Sequence, residues 1–321
     1  MKELKDYFIG VDLGGTKILT ALSNEQGDIL NQVYIPTEAE KGQDYVIDNI
    51  IKSIDSLLEE ENISRENIKR IGIGSPGPLN IKEGLIYEAP NLKWKNVPIG
   101  KILEEKTGIK VNLENDANAA ALGEKFFGAG KDVDNMIYIT VSTGIGGGII
   151  IDNKILHGVK DTAGEIGHMV IKLDGPLCGC GNRGCFEALA SGTALSKRAR
   201  ELAAVSPDSL LYKLAGGDLA KIDGKVLAEA AKQGDELALK IWDEEAYYLG
   251  IGIANLLNIF NPEVIILGGG VMNSWEHFKD KMLETLKEYA FESAYNSVEI
   301  RKAALGGEVG ARGAIAVAMG G

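Results

Sequence analysis

One pattern, a strand followed by a glycine turn and a second strand, occurs twice in the chain and constrains its fold more than any other feature. The first copy spans 7–22 and turns at Asp12-Leu13-Gly14-Gly15-Thr16-Lys17. The second spans 136–151 and turns at Ser142-Thr143-Gly144-Ile145-Gly146-Gly147-Gly148. The copies lie about 130 residues apart, a spacing too long for a solenoid repeat. The chain is therefore expected to contain two related halves and not a single wound sheet.

Helix and strand patterns alternate along the rest of the chain, which is typical of an α/β protein. In 44–60, for example, apolar residues recur with the period of an amphipathic helix. The predicted helices are 44–60, 99–107, 117–127 (capped by Asn115 or Asp116), 191–204, 225–232, 235–258, 274–290 and 308–319. The predicted strands outside the two copies are 29–35, 71–74, 110–113, 264–267 and 298–301.

Glycine turns end three of the predicted strands, at 14–15, 144–148 and 268–270. Backbone N–H groups in such turns can approach phosphate oxygens without obstruction by side chains. A single glycine pair more often ends a strand for structural reasons, but three together, with Asp12 leading the first, favour phosphate binding. Neither the Walker pattern nor the dinucleotide-binding pattern is present. The first turn also leads to a strand, which disfavours a Rossmann domain.

All three cysteines, Cys178, Cys180 and Cys185, fall within eight residues, and His168 precedes them by ten positions. Three thiols and one imidazole are the ligands of a closed tetrahedral zinc site, which leaves no open position for catalytic water. A disulfide is disfavoured, because an odd count leaves one thiol unpaired and Cys178 is too close to Cys180 in sequence. The sequence therefore predicts structural zinc, with a redox or free-thiol cluster as the alternative.

The composition argues against two classes of partner. A net charge of −12 disfavours nucleic acid, whose phosphates favour basic surfaces, and it also disfavours anionic membrane surfaces. No apolar run approaches the roughly 20 residues of a membrane-spanning helix. The first six residues are polar and show no targeting segment, so a cytoplasmic protein is expected. The 321 residues are enough for two domains with separate cores.

The turns of the two copies resemble the phosphate loops of the sugar kinase, actin and heat-shock ATPase superfamily, and Leu267-Gly268-Gly269-Gly270-Val271 resembles its adenosine loop. A narrower resemblance is to the ROK family of bacterial sugar kinases and sugar-responsive repressors, and within that family most of all to the glucokinases. It covers the whole chain. The residues that carry it are Glu165-Ile166-Gly167-His168, the three cysteines, Glu187 and Glu114-Asn115-Asp116-Ala117-Asn118.

The resemblance implies a two-domain actin-like, ribonuclease H-like ATPase fold of the sugar kinase superfamily. Each domain would be α/β, a mixed sheet flanked by helices. A smaller N-terminal domain would comprise 1–115 and 307–321, and a larger C-terminal domain, 116–306, would carry the zinc cluster. A homodimer or a higher homo-oligomer is also expected, with the long helix 235–258 serving the core or the dimer interface.

Phosphoryl transfer to a sugar hydroxyl needs an anchored triphosphate, a metal ion, an oriented hydroxyl and an acceptor for its proton. The resemblance makes Asp116 the general base, although an aspartate in such a place is otherwise most often a helix cap. It makes Asp12 the residue that holds Mg²⁺, the alternative being a turn aspartate that bonds its own backbone. Lys17 fits a phosphate contact and a solvated strand residue equally well. The residues expected to hold ATP are Asp12, Gly14, Gly15, Thr16, Lys17, Thr143, Gly144, Gly268, Gly269 and Gly270.

The resemblance also implies a hexose pocket. His168 would bind zinc through one ring nitrogen and a sugar hydroxyl through the other, so that the metal fixes the ring. Two positions depart from the family pattern, since Ser142 and Asp161 stand where many members have glycine. The residues expected to hold the hexose are Gly77, Asn91, Asn115, Asp116, Glu165, His168 and Glu187, with Gly77 and Asn91 the weaker candidates.

The predicted function is ATP-dependent phosphorylation of a hexose, glucose before others, at the 6-hydroxyl. N-acetylmannosamine, N-acetylglucosamine, fructose and allose kinases share the motifs, and polyphosphate is an alternative donor. A sugar-responsive repressor needs a helix-turn-helix module, whereas six residues precede the first strand. A nucleotide hydrolase or chaperone ATPase would leave the zinc cluster, Glu165, His168 and Glu187 without a role.

Overall fold

The computed structural model describes residues 6–320, and most of the polar start on which the targeting expectation rests lies outside that range. Its strands are β1 Tyr7–Leu13, β2 Lys17–Ser23, β3 Ile29–Pro36, β4 Ile68–Ser75, β5 Leu79–Asn80, β6 Leu85–Ala89, β7 Trp94–Val97, β8 Val111–Asn115, β9 Met136–Val141, β10 Ile145–Ile151, β11 Lys154–Ile155, β12 Val264–Gly268 and β13 Glu299–Lys302. Its α-helices are α1 Gln43–Glu60, α2 Ile99–Thr107, α3 Asp116–Phe127, α4 Phe186–Ala190, α5 Gly192–Ala204, α6 Leu210–Leu214, α7 Gly224–Lys232, α8 Glu236–Phe260, α9 Lys279–Tyr289, α10 Glu292–Tyr295 and α11 Val309–Met319.

The first strand–turn–strand copy lies within a five-stranded sheet with the order β3-β2-β1-β4-β8. β1 is antiparallel to β2 and parallel to β4, which in turn is parallel to β8. The register pairs Asp12 with Gly74, and Gly74 with Glu114. The carboxyl ends of three parallel strands therefore meet at one edge, which is where open α/β sheets bind their ligands.

Helices pack on this sheet through residues that alternate along its strands. Side chains of β1 such as Ile9 and Val11 join the cluster that α1 completes, whereas Leu19 and Ala21 of β2 contact α11. A β-carbon at Gly10 would lie 2.8 Å from the backbone nitrogen of Ile315, so a glycine there lets α11 approach the sheet closely. The buried residues of α1 recur every three or four positions and include Val46, Ile47, Ile50, Ile54 and Leu57.

The second copy supplies β9 and β10 to another five-stranded sheet, with the order β11-β10-β9-β12-β13. This order matches that of the first sheet strand for strand, because in each sheet the copy forms the central and second strands. β12 is parallel to β13, and β11 is antiparallel to β10. Two mixed sheets with flanking helices confirm the predicted fold class.

The chain divides into two compact units. The first unit contains the chain up to Tyr138, the segment Gly148–Gly164 and the chain from Ala303 onward. The second contains Ile139–Gly147 and Glu165–Lys302. The chain therefore passes between the units four times, and two of these crossings lie in β9 and β10.

The structure differs from the expected elements in several places, and the short elements α4, α6, α10 and β11 were not expected. A small antiparallel sheet, β5-β6-β7, was not expected, because its strands have only two to five residues. The second glycine turn is shorter than predicted: β10 begins at Ile145, so the glycines at 146–148 lie in a strand. A 3₁₀ segment, Gly270–His277, follows the third turn and delays the start of α9.

The longest helix, α8, has 25 residues and is buried along one side by residues such as Trp242, Leu249 and Leu257. Its other side is accessible, with Ile259 exposed near the end. Within residues 6–320, no helix has both the length and the apolar character required to cross a membrane.

Candidate active site and metal cluster

Two carboxyl groups of the first unit lie near the edge where β1, β4 and β8 end. Burial and the charge of Asp116 raise the pKa of Asp12 to about 6, whereas Lys17 opposes this shift. Solvent reaches the Asp116 side chain, but desolvation by the surrounding protein raises its pKa too, and the N–H of Ala117 opposes the shift by donating to Oδ1. Ionising both groups is unfavourable, so a cation bound beside them would be stabilised by two carboxylates.

The start of α3 fixes the position of Asp116. Asn115 is the cap, and its Oδ1 accepts hydrogen bonds from the N–H groups of Ala117 at 2.9 Å and Asn118 at 3.3 Å. Asp116 is the first helical residue, with its carboxyl group at the N-terminal end of the helix. The N-cap of α3 is therefore Asn115 and not Asp116. A β-carbon at Gly77 would lie 3.7 Å from Nδ2 of Asn115, so both candidate hexose residues border this corner.

The first glycine turn is held by short hydrogen bonds. The N–H of Gly14 donates to the carbonyl of Lys17 at 3.1 Å, and Oγ1 of Thr37 donates to the carbonyl of Gly14 at 2.7 Å. A β-carbon at Gly15 would lie 2.6 Å from Cβ of Asn91, so Asn91 packs directly against the turn. Lys17 is exposed, with Nζ 5.0 Å from the ring centroid of Tyr34.

A further residue at this edge, Gly310, was not singled out from the sequence. It lies in the first turn of α11, and a β-carbon there would overlap Oδ2 of Asp12. The N-terminal end of α11 therefore abuts the Asp12 carboxyl group. The glycines at 306–307 and 310 were a usable signal, but only the tertiary structure shows which side chain they approach.

The second glycine turn, 142–144, belongs to the second unit and is tied to α4 and α5. The N–H of Ser142 donates to the carbonyl of Gly144 at 2.9 Å, and the N–H of Gly192 donates to the carbonyl of Ser142 at 2.7 Å. Oε2 of Glu187, on α4, accepts the N–H of Ile145 at 3.0 Å. Glu187 therefore anchors the turn as well as lying beside the cysteines.

The four predicted metal ligands form one cluster. The ligand atoms of His168, Cys178, Cys180 and Cys185 all lie within 4.8 Å of one another. Sγ of Cys180 is 3.6 Å from Sγ of Cys185, and Sγ of Cys178 is 3.7 Å from Nδ1 of His168. Two ligands about 2.3 Å from a tetrahedral zinc ion lie about 3.8 Å apart, so this donor set fits the metal.

Glu165 precedes a single 3₁₀ turn, Ile166–His168, and the N–H of His168, at the end of this turn, donates to the carbonyl of Glu165 at 3.1 Å. Nδ1 of His168 faces the cysteines, which leaves Nε2 for another partner. Oε1 of Glu187 lies 3.9 Å from Sγ of Cys178. His168 and Glu187 thus lie at the same cluster, and Glu165 is joined to His168 through its backbone carbonyl.

A cavity of about 530 Å³ lies between the 142–144 turn and the third glycine turn. Gly269 has a φ of +90°, and a β-carbon there would overlap the backbone of Val141, so only glycine fits. Residues that line the cavity include Thr143, Ser196, Arg200, Asp223, Trp242 and Asn273. The size and mixed polarity of this cavity suit a nucleoside.

Trp94 is 3% exposed and lies within the core of the first unit, so its ring is not available to stack on a sugar. Conversely, Glu114 and His157 were not identified from the sequence as site residues, and they form an ion pair behind Asp116. No sequence signal distinguishes this histidine, because its partner lies 43 positions away.

Comparison with known proteins agrees with this geometry. The sequence profile of the ROK family matches residues 8–320. The glucokinase of Thermotoga maritima is 40% identical over 99% of this chain and 98% of its own length. A ROK family glucokinase from Streptomyces griseus, solved with glucose and AMPPNP, superposes with a TM-score of 0.81 at 37% identity, covering 98% of this chain and 100% of that one. The xylose repressor of Caldicellulosiruptor bescii is 34% identical over 97% of this chain and 77% of its own. The chain therefore belongs to the ROK family.

Proposed function

We propose that this protein is an ATP-dependent hexose kinase that converts glucose to glucose 6-phosphate. The observation that carries the proposal is the placement of Asp116 at the first turn of α3. Its charge acts on Asp12, which lies near the end of β1. One carboxylate can accept a proton while the other holds a metal ion, and both roles are needed for phosphoryl transfer. The glucokinase relatives, matched over nearly their full lengths, support the same activity.

In the proposed reaction Asp116 removes the proton from the 6-hydroxyl of the hexose. The hydroxyl oxygen forms a bond to the γ-phosphorus of ATP as the bond to the β-phosphate oxygen breaks, and ADP leaves. The pKa of Asp116 is raised toward neutral pH, which makes its carboxylate a better general base. Such a base accelerates a reaction by about 10²–10⁴-fold, and the remaining acceleration comes from positioning and charge neutralisation.

Asp12 is the proposed residue for Mg²⁺, which neutralises charge on the phosphates when bound and commonly retains several waters. The backbone N–H groups of the turns at 14–15 and 143–144 are proposed to contact the phosphates, helped by the hydroxyls of Thr16 and Thr143. Lys17, exposed beside Tyr34, contributes positive charge near Asp12. The nucleoside is proposed to occupy the 530 Å³ cavity beside Gly268, Gly269 and Gly270.

The hexose is proposed to contact His168 among other side chains. The two functional domains expected from the sequence, 1–115 with 307–321 and 116–306, are kept as a proposal, while the first compact unit also contains 116–138 and 148–164. Nε2 of His168 would bond a hydroxyl while Nδ1 binds zinc, and the metal keeps the ring from rotating. The zinc is structural in this proposal, because four protein ligands complete its coordination. The remaining proposed contacts are Gly77, Asn91, Asn115, Asp116, Glu165 and Glu187.

The decisive experiment is a coupled ADP-release assay with ATP and a panel of glucose, mannose, fructose, allose, N-acetylglucosamine and N-acetylmannosamine. We expect the highest kcat/KM with glucose. Higher kcat/KM with an acetamido sugar or fructose would reassign the substrate within the family, and polyphosphate in place of ATP tests the donor. A protein that binds glucose yet turns over none of the sugars would instead resemble the sugar-sensing relatives, of which the xylose repressor is one.

We further propose that the protein forms a homodimer or a higher homo-oligomer in the cytoplasm. Supporting the first part, Tyr247, Tyr289, Phe291 and Ile259 form an exposed, largely aromatic group on and beside α8. Light scattering coupled to size-exclusion chromatography gives the mass directly, and a mass of 34.3 kDa would contradict the proposal.

A further inference from the structure

Glu114 lies at the corner where β8 ends and α3 begins, and it is only 4% exposed. Its Oε1 accepts hydrogen bonds from the backbone N–H of Asn115 and from Nδ2 of Asn118, both at 2.9 Å. Its Oε2 lies 2.8 Å from Nε2 of His157. One side chain thus joins the last residue of the strand, the first turn of the helix and a separate segment of chain.

The corner that Glu114 braces is the one that carries Asp116. Asn115 caps the helix and Asn118 lies one turn into it, so Glu114 holds residues on both sides of Asp116. A rotation of the first helical turn would break hydrogen bonds to a buried carboxylate, which is costly because the charge would be left without partners. The orientation of Asp116 therefore depends on Glu114 keeping its bonds.

His157 supplies the third bond and lies in the loop 156–164, which follows β11. The carbonyl of His157 accepts the N–H of Ala163 at 3.0 Å, which closes the loop. Asp161 has a φ of +54°, and its Oδ2 accepts the N–H of Ile81 at 3.0 Å. One side chain of the loop thus bonds Glu114 beside Asp116, another bonds the residue that follows β5, and the loop leads directly into Glu165.

The charges in the loop favour a protonated His157. The hydrogen bond to Glu114 raises the pKa of His157, burial opposes the shift, and the charges of Glu114 and Asp161 add to it. The protonated ring donates to Glu114 through Nε2 as an ion pair. Because the pKa is raised, this contribution is complete at low pH and is lost as the pH rises through the value in the folded protein.

We propose that Glu114 and His157 are positioning residues for phosphoryl transfer, which act by holding the β8–α3 corner so that the Asp116 carboxylate stays aimed at the acceptor hydroxyl. This proposal rests on the role of Asp116 as base proposed above. Neither residue is proposed to touch the hexose or the nucleotide. Their removal should therefore lower kcat while leaving the KM for ATP near the wild-type value.

The kinetic test compares His157→Ala, His157→Gln and Lys106→Ala. We expect His157→Ala to lower kcat about tenfold, because small displacements of a catalytic group cost large factors in rate. Glutamine can donate its side-chain N–H to Glu114, so His157→Gln should restore kcat to within about threefold. Lys106→Ala breaks an exposed ion pair of the same 2.8 Å length, to Asp48, and should leave kcat unchanged. Wild-type kcat in His157→Ala, or no recovery in His157→Gln, would overturn the proposal.

The pH dependence separates positioning from a merely structural role. In the wild-type protein kcat should fall at alkaline pH as His157 loses its proton, and in His157→Gln this alkaline fall should disappear. A structural role would lower the melting temperature of both variants without changing the shape of the kcat profile. An identical alkaline fall in wild type and His157→Gln would contradict the proposal.

A measurement independent of turnover tests the coupling itself. The imidazole resonances of His157, assigned by their loss in His157→Gln, are titrated by NMR in the wild type, Glu114→Gln and Asp116→Asn. The pKa of His157 should be lowered by Glu114→Gln and altered by Asp116→Asn. If the pKa of His157 is the same in the wild type and in both variants, the proposal is overturned, even if the protein phosphorylates glucose. A protein that turns over no sugar refutes the kinase function, while the titration still decides the coupling.

Discussion

Burial and the charge of Asp116 raise the pKa of Asp12, whereas Lys17 lowers it. The net shift predicts how the stability of the protein depends on pH. A carboxyl group whose pKa is raised in the folded protein releases its proton less readily than in the unfolded chain. Its contribution to stability is therefore fullest in acid and declines as the pH rises from 3.8 to about 6. Bound Mg²⁺ would favour the ionised form, so protons and metal should compete at this residue.

Asp12→Asn removes the cost of a buried charge at position 12 at neutral pH, and with it the repulsion between Asp12 and Asp116. We expect the metal-free variant to have a higher melting temperature than the wild type at pH 7.5, with a smaller difference at pH 4.5. The variant should lose the stabilisation that Mg²⁺ and ADP give the wild type. Thermal unfolding with and without Mg²⁺ and ADP at the two pH values measures both effects. Equal melting curves at pH 7.5 would contradict a destabilising charge at Asp12.

Asp116→Asn keeps the size of the side chain and removes its basicity. Turnover of the best sugar should fall by about 10²–10⁴-fold while the circular dichroism spectrum stays unchanged. Asp48→Asn, which changes an exposed carboxylate outside the site, is the matched control. Asp116 would be excluded as the base by a variant that retains more than a tenth of wild-type kcat.

The role of a single residue could be predicted where it depends on neighbouring positions in the sequence. The cysteine spacing and the position of Asp116 after a strand are visible in the sequence, and the structure places the four metal ligands together. The contacts of Gly310, Glu114 and His157 could not be found in this way, although Glu114 belongs to a motif visible in the sequence. Their importance comes from register and from contacts between distant segments, as when His157 meets a carboxylate 43 positions earlier.

At the scale of elements, the short helix α4 connects two functional parts of the second unit. It begins immediately after Cys185, and its second residue is Glu187. One oxygen of Glu187 lies beside Cys178 and the other anchors the N–H of Ile145 after the glycine turn. The metal segment and the proposed phosphate turn thus share one side chain.

Cys180→Ser tests that connection. Loss of a thiolate should release the metal, loosen His168 and Glu187, and weaken the binding of both glucose and ADP, each measured by calorimetry. Asn182→Ser changes the same segment without removing a ligand and should retain zinc. A wild-type metal content well below one zinc per chain would contradict the structural-zinc proposal, and unchanged ADP affinity in Cys180→Ser would contradict the coupling through Glu187.

Another element-scale feature is the close contact between α3 and α11. A β-carbon at Gly123 would lie 2.9 Å from the backbone nitrogen of Gly313, so Gly123→Ala must push the helices apart. We expect it to lower the free energy of unfolding by about 1–3 kcal/mol in denaturant melts. Gly224→Ala, at the start of α7, faces open space and should not be destabilising. Equal stability of Gly123→Ala and wild type would refute tight packing here.

At the scale of the whole molecule, the architecture was largely predictable because the strand–turn–strand pattern occurs twice. Each copy supplies the central and second strands of a sheet, the two sheets have the same strand order, and the long helices follow their apolar periodicity. The small sheet β5-β6-β7 could not be predicted, since strands so short carry little periodicity. The route of the chain between the units was equally invisible, because it depends on which segments pair across long distances.

Glu124 holds the segment where the chain returns to the first unit after Lys302. Its carboxylate accepts the N–H groups of Ala129, Ala304 and Leu305 at 2.8, 3.1 and 3.0 Å. Glu124→Ala should lower the free energy of unfolding by about 3 kcal/mol, because buried N–H groups lose a charged acceptor. Glu104→Ala removes a single such bond at an exposed position and should cost about 0.5 kcal/mol. Equal losses in denaturant melts would contradict the structural role of Glu124.

The contact between Gly144 and Glu187 has a consequence for how such sequences can diverge. A β-carbon at position 144 would overlap the carboxylate of Glu187, so no other residue fits at 144 while Glu187 keeps this position. The two positions lie 43 residues apart in the chain and should nevertheless change together. A descendant that loses the carboxylate at 187 becomes free to acquire a side chain at 144, whereas one that keeps the carboxylate in its present position requires glycine there.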